Sequence, residues 1–501
     1  MIRRQKCSVL EAAGAAAVIL AATAAAWGRQ HAPDWRALRY PELRAVRRPE
    51  IQRTVLSNGM RVFAMEDREL PLVQVIMRMD VGTMHDPPDR IGLAAITSQV
   101  LQTGGTSSRT GEQIDRELDR MAADLEMGVG VDFGHASLCV LREDAGTALA
   151  TLEDILTRPA FPEDKLRLAK ARLHSAVARR DDSPEDLAMR EFKKLIYGAD
   201  SVYARQAEHA MIDAIDRHDV VAFHRDHYCP NRTVLAIGGD LDTQEMFDAV
   251  AQTFQEWTPV EGRRRDLPSV EYEYRSTVNL VRKADISQST ILVGHLGGTM
   301  SGADHAALTV LNRILGDSFT GRLFQNIRCR QGLAYTVGGG FLEEYAYPGI
   351  LCIGCQTSSA NTIRAVHALK EELHRMVMEQ VAEEELTTAK ESYLNSFVFN
   401  CDTTREILER ELVHAYYGYP ANFLETTRRN VERVTSADVL RAAGRHVHPQ
   451  DLHILVLGDP DHFDEPLSGI GEVQEVRVLV SPRADAPRPA KEPHDEERDD
   501  R

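Results

Sequence analysis

Arg322-Leu-Phe-Gln-Asn-Ile-Arg-Cys-Arg-Gln-Gly-Leu-Ala-Tyr-Thr-Val337 reads as a short amphipathic helix that stops at a glycine and passes straight into a strand. Leu323, Phe324 and Ile327 recur at helical spacing, Gly332 suits a left-handed helix end, and Leu333 to Val337 resume as β. Arg328 and Tyr335 lie on either side of that break. A helix end and a strand start can thus place a guanidinium and a phenol over one small space. Such a pair can grip a peptide carbonyl or a developing oxyanion. The competing reading is a solvated helix-end cation favoured by the helix dipole, beside a half-buried strand aromatic.

Working outward, hairpin, strand and helix signals alternate through the chain. Asn58-Gly59 between apolar runs predicts a hairpin, and Val73, Val75, Met77 and Met79 predict a strand with one buried face. Gly92-Leu-Ala-Ala-Ile-Thr-Ser-Gln-Val-Leu-Gln-Thr-Gly-Gly105 reads as a helix running into glycines. Further helices are expected at 111–124, 145–157, 163–180, 184–197, 220–227 and 243–257, with strands at 127–131, 135–141 and 232–238. The segment from His227 to Asp240 matches that from His446 to Asp459: a helix end, a proline turn (Pro230, Pro449) and an apolar strand closing in Gly-Asp. A tandem duplication explains this, each unit burying its sheet under helices. Within the second unit a strand at 289–296, a helix at 304–315, a strand at 349–355 and helices at 361–380, 382–399 and 405–417 are expected.

The quoted stretch resembles the Arg/Tyr signature of the pitrilysin/insulinase (M16, inverted zincin) peptidases, and the resemblance runs from about residue 50 to 480. It implies an α+β fold of two tandem homologous units, LuxS/MPP-like, each a mostly antiparallel sheet with helices packed on one face. Active members follow Gly-Leu-Ala with His-x-x-Glu-His, two imidazoles for zinc and a glutamate that activates the bound water. Aligned on Gly92-Leu93-Ala94, those places hold Ala95, Ser98 and Gln99, and none can serve. The later glutamate ligand is also missing: Ser175 and Ala176 occupy its place, and His174 alone reads as a helix-surface residue. No metal or cofactor is therefore expected in this chain.

The resemblance implies a non-catalytic, substrate-binding subunit, inactive alone, that supplies Arg328 and Tyr335 to a zinc-bearing, His-x-x-Glu-His partner in a heterodimer acting on peptides. The alternative is a non-proteolytic peptide-binding or scaffold protein of the cell envelope. The charge of 59 minus 76, or −17, has no basic stripe and argues against nucleic acid. Cys352-Ile-Gly-Cys355 falls in an expected strand, where residues three apart face opposite ways, which excludes a disulfide or a shared metal. Arg3, Arg4 and Lys6 ahead of the apolar run Ala12–Trp27 predict a signal peptide over 1–27 and export to a bacterial periplasm, with membrane association only if that segment stays uncleaved. A lead-in (28–49), a first domain (50–257), a linker (258–270), a second domain (271–480) and a disordered, charged tail (481–501) complete the expected layout.

Overall fold

A computed structural model describes residues 50–478 apart from 263–265, 285, 398, 400 and 401. The expected signal peptide, lead-in, Arg263-Arg-Arg265 run and tail lie outside the described residues. Twelve strands fall in two sheets of six. They are β1 (Ile51–Val55), β2 (Arg61–Glu66), β3 (Leu72–Met79), β4 (Asp124–Val129), β5 (Gly134–Leu141), β6 (Thr233–Gly239), β7 (Thr277–Arg282), β8 (Gln288–Leu296), β9 (Ala334–Leu342), β10 (Ile350–Ser358), β11 (His453–Gly458) and β12 (Val473–Glu475). The first sheet runs β1-β2-β6-β3-β5-β4 and the second β12-β7-β11-β8-β10-β9.

The five strands from β2 to β4 in the first order correspond to the five from β7 to β9 in the second. In both sets the first pair is parallel and the next three are antiparallel. Only the outermost strand breaks the repeat. β1 is antiparallel to β2 and precedes it in the chain, whereas β12 is parallel to β7 and arrives from the C-terminal end. Gly338-Gly-Gly340 lies inside β9, and the Asn58-Gly59 turn joins β1 to β2 with Gly59 at φ 87°.

Alternation along the strands gives each sheet two apolar faces. One takes the helices of its own half: Met77, Leu138 and Leu235 pack with Ile96 and Leu101, and Ile291, Leu351 and Val456 pack with Leu311 and Leu369. The other face is covered by exchange. Leu187, Phe192 and Ile196, on the helix Pro184–Tyr197 of the first half, pack on Val281, Leu292, Ile350 and Leu455 of the second sheet. Leu408, Leu412 and Tyr416, on the helix Thr404–Tyr417 of the second half, pack on Phe63, Met65, Ile76 and Val234 of the first. The tyrosines that end both helices fasten the exchange: Tyr197 Oη donates to Pro348 O at 2.8 Å, and Tyr416 Oη to Asp132 O at 2.8 Å. The acceptors lie in the equivalent turns β9–β10 and β4–β5. Cys352 and Cys355 fall in the two opposite-face clusters, free and buried, with both thiols pushed up to about 12 by burial.

The helix Leu93–Gly104 starts at Gly92, which has φ 109° and no side chain to cap with. Asp86 supplies the cap: its carboxylate accepts from Gly92 N and Ala94 N, each at 2.8 Å. Arg205 holds the preceding turn by donating to Thr83 O and Asp86 O. Burial pushes the Asp86 carboxyl up to about 6 from its usual 3.8, outweighing the two amides and Arg205, which pull it down.

Two outcomes are expected. Phe192→Ala empties a fully buried place between one half's helix and the other half's sheet and should cost about 3–5 kcal/mol. Urea unfolding should still show one transition, coincident by circular dichroism and by Trp257 fluorescence (Trp27 and Trp35 replaced by Phe). Separate transitions for the two halves would refute the coupling. For Asp86, the folded pKa lies above the unfolded one, so its stabilising contribution is complete below about 4 and is lost as pH rises through about 6. The stability of the wild type minus that of Asp86→Asn should therefore fall by roughly 1–3 kcal/mol between about pH 4 and pH 7, and a flat difference would contradict it.

Candidate functional site at the helix-to-strand break

The stretch 322–337 forms the expected helix, glycine and strand, with three local departures from regularity. The helix Leu323–Arg330 is wound with i→i+5 bonds, as in Gln331 N to Asn326 O at 3.1 Å, a wide turn that is rare in soluble proteins. Gly332 has φ 64°. Between β9 and β10 the register then slips: Gln356 pairs with Thr336 but Thr357 pairs with Ala334, leaving Tyr335 as the extra, bulged residue. A bulge turns its side chain out of the ladder, and Tyr335 is 76 % exposed.

The frame beneath is tightly fixed. Leu323 and Ile327 are fully buried, while Phe324, expected with them on the apolar stripe, is only half-buried and turns toward Arg328. Arg322 is buried and forked on Glu385, Nε to Oε1 at 2.9 Å and Nη2 to Oε2 at 2.8 Å, which holds the Glu385 carboxyl below its usual range. Asn326 Nδ2 donates to Glu372 Oε1 at 2.7 Å, and Thr357 Oγ1 donates to Leu333 O.

On that frame the Arg328 guanidinium carbon lies 5.1 Å from the Tyr335 ring centroid and 4.8 Å from that of Phe324. Among the described residues neither Arg328 nor Tyr335 has an ion-pair or hydrogen-bond partner for its side chain. The guanidinium is thus aimed by stacking, with its donors uncommitted. Tyr335 is not the half-buried aromatic of the competing reading. Phe319, 77 % exposed, meets Phe324 edge-on at 5.1 Å and extends the aromatic surface. Phe319 belongs to no periodic pattern in the sequence, and its place among the turn residues Asp317-Ser-Phe-Thr-Gly321 is the one signal for its exposure.

The positions aligned with the expected metal motif fall on the helix Leu93–Gly104. Ala95 and Gln99 are half-exposed and share one face, one turn apart. Ser98 is buried, next to the Tyr228 hydroxyl. Ser175 returns its hydroxyl to Ala171 O at 2.9 Å, and Ala176 is exposed. One amide, two hydroxyls and two methyls do not make a zinc site, so no step is assigned to a metal there. Among the described residues Asp216, His218 and Asp219 form one tight group of possible ligands. Their carboxylates are already used: Asp216 and Asp219 cap the helix Arg217–His227 reciprocally, and Asp219 also accepts from Arg90 Nε. No helix of the described residues is long and apolar enough to cross a membrane.

Comparison with known proteins places the family and the fold. Residues 61–202 match the family model for insulinase (peptidase family M16), and residues 214–393 match that for the peptidase M16 inactive domain. The uncharacterized zinc protease YmxG of Bacillus subtilis is 23 % identical over 364 residues, 72 % of this chain and 87 % of that protein. An uncharacterized zinc protease of Mycobacterium leprae is 26 % identical over 403 residues, 77 % and 87 % of the two chains. The crystal structure of a peptidase M16 inactive domain from Pseudomonas fluorescens superposes with a TM-score of 0.75 at 24 % identity, covering 82 % of this chain and 98 % of that one. A protease from Helicobacter pylori superposes at 0.73 with 14 % identity, covering 82 % and 99 %. With both family models matching in order on a duplicated six-stranded frame, the chain belongs to the M16 (insulinase) peptidase family.

Proposed function

We propose that this chain is the metal-less, peptide-binding subunit of a two-chain peptidase, exported to the bacterial periplasm, with Arg328 and Tyr335 directed at the backbone of the bound peptide. The observation that carries this reading is the uncommitted Arg328 guanidinium stacked on an exposed, bulged tyrosine. Bulging a tyrosine and leaving a half-buried arginine without a carboxylate both work against stability, so their joint presence points to a ligand. The ligand chemistry follows from the donors: a guanidinium fork and a phenol hydroxyl both donate, which suits a carbonyl oxygen gaining negative charge. The hydrolytic zinc belongs to a His-x-x-Glu-His partner, since the equivalent places here offer no ligand set. The exposed Phe319, edge-on to the half-buried Phe324, adds apolar surface for a peptide side chain beside the clamp.

The test is reconstitution with a His-x-x-Glu-His chain co-purified from envelope extract, using a quenched unstructured peptide. Arg328→Ala and Tyr335→Phe should each lower turnover about a hundredfold with the complex intact. Full turnover in both variants would refute the clamp. A protein that binds peptide alone, recruits no such chain and supports no cleavage would establish the scaffold alternative.

A further inference from the structure

His174, read from the sequence as a lone surface residue, is not alone. It lies on the helix Glu163–Arg179, and its Nδ1 is 2.7 Å from Nδ1 of His209 on the short helix His209–Ala214. The two rings are stacked, with centroids 5.0 Å apart and planes 15° from parallel. The far nitrogen of His174, Nε2, is 3.1 Å from Asp213 Oδ1. That carboxylate fixes the tautomer: Nε2 of His174 carries hydrogen and donates to Asp213, so Nδ1 of His174 is a bare acceptor. Nδ1–H of His209 then donates to it.

The backbone around the pair is clamped on both sides. Lys170, one turn before His174, donates from Nζ to Asp213 O at 3.0 Å and Ile215 O at 2.9 Å. Arg180, on the other side, donates to Ala207 O at 2.9 Å and to Glu208 Oε1 at 2.8 Å. The segment 207–215 is therefore pinned to the helix at both ends of the histidine pair, and both cations next to it are committed to oxygen acceptors.

We infer that His174 and His209 form a binding site for a divalent late transition-metal ion, Zn2+ foremost, built outside the degenerate motif and independent of the peptidase reading. Two imidazoles with facing Nδ1 atoms are a borderline-soft donor pair suited to such ions. The carboxylate behind His174 is the outer partner that metal-bound histidines commonly carry, raising ligand basicity and holding the ring. Tetrahedral Zn–N bonds place two nitrogens roughly 3.3 Å apart, so a small rotation of two partly exposed rings opens the present contact far enough. The metal replaces the one hydrogen now between the rings. That proton leaves Nδ1 of His209 for its own Nε2 or for solvent, and water fills the remaining coordination positions. The bound ion would tie the helix Glu163–Arg179 to the connection that follows the exchanged helix.

The full, untagged chain, stripped with chelator, should take up one equivalent of Zn2+ by calorimetry, and Co2+ should give a d–d absorption band at the same stoichiometry. His174→Ala and His209→Ala should each abolish that equivalent, with folding checked by circular dichroism. Asp213→Asn should keep it but weaken it about 10–100-fold, an effect that a purely structural role for the carboxylate would not produce. His218→Ala should leave it unchanged. Absence of a one-equivalent site in the wild type, its survival in both histidine variants, or its loss in His218→Ala would overturn the inference.

Discussion

A six-stranded sheet with apolar side chains on both faces cannot be covered by helices arriving on one face only, and this constraint governs the whole molecule. The second face of the first sheet carries Phe63, Met65, Ile76 and Val234; that of the second carries Val281, Leu292, Ile350 and Leu455. Each large side chain of this kind removed from water contributes about 1.5–3 kcal/mol, too much for either half to leave exposed. The exchanged helices meet the demand reciprocally, so neither half completes its packing without the other. The seam is closed by tyrosines that reach the opposite half's β-hairpin turn, Tyr197 to Pro348 and Tyr416 to Asp132. A duplicated fold is thereby made into one cooperative body rather than two beads on a linker.

The Arg328–Tyr335 site exploits that rigidity. A wide helical turn, a left-handed glycine and a bulge follow one another within the stretch 323–336, and each is a local cost relative to regular structure. Such a sequence of departures is tolerated where the surroundings over-determine it. Here they do: Arg322 is forked on Glu385, Asn326 is tied to Glu372, and Leu333 O accepts from Thr357. The anchors hold the frame while the two outward side chains keep their donors uncommitted. Stacking on Phe324 and Tyr335 then replaces the carboxylate that would otherwise orient an arginine, positioning the cation without neutralising it.

Much of this was legible in the residues, and the remainder was hidden for identifiable reasons. The strands β3 and β6, the Asn58-Gly59 turn, the opposed faces of Cys352 and Cys355 and the break at Gly332 follow from periodicity and turn chemistry, and the structure has them. The exchange was not legible, because Leu187, Phe192 and Ile196 announce a buried stripe without saying which sheet buries it. Some ends moved as well. The expected helix 111–124 stops at Arg120 and β4 begins at Asp124, since Ala122, at φ 47°, breaks the run. The helix Phe423–Arg433 was hidden among charged residues with few apolar positions, while Ser436–His446 supplies the helix end expected at His446. The bulge at Tyr335 was invisible because one extra residue leaves an alternating pattern locally plausible. The contact of His174 with His209 was hidden because the partner stands 35 residues away on an element too short to be recognised by periodicity.

The first half shows how a helix can hold the expected motif's positions on a face that its packing does not fix. Two of the motif's places lie on the half-exposed face of the helix Leu93–Gly104, where packing does not dictate the residue, and alanine at 95 favours helix more than histidine would. The helix start depends on Asp86 and Arg205, neither of which belongs to the motif. The face toward the sheet, with Ile96 and Leu101, is a separate requirement again. Chemistry and architecture are thus written on different faces of one helix, and the first could change without the second. What the first half cannot relinquish is the helix Pro184–Tyr197, because the opposite sheet, and with it the strand that bears Tyr335, is packed against it. The first half is then a packing requirement of the half that carries Arg328 and Tyr335.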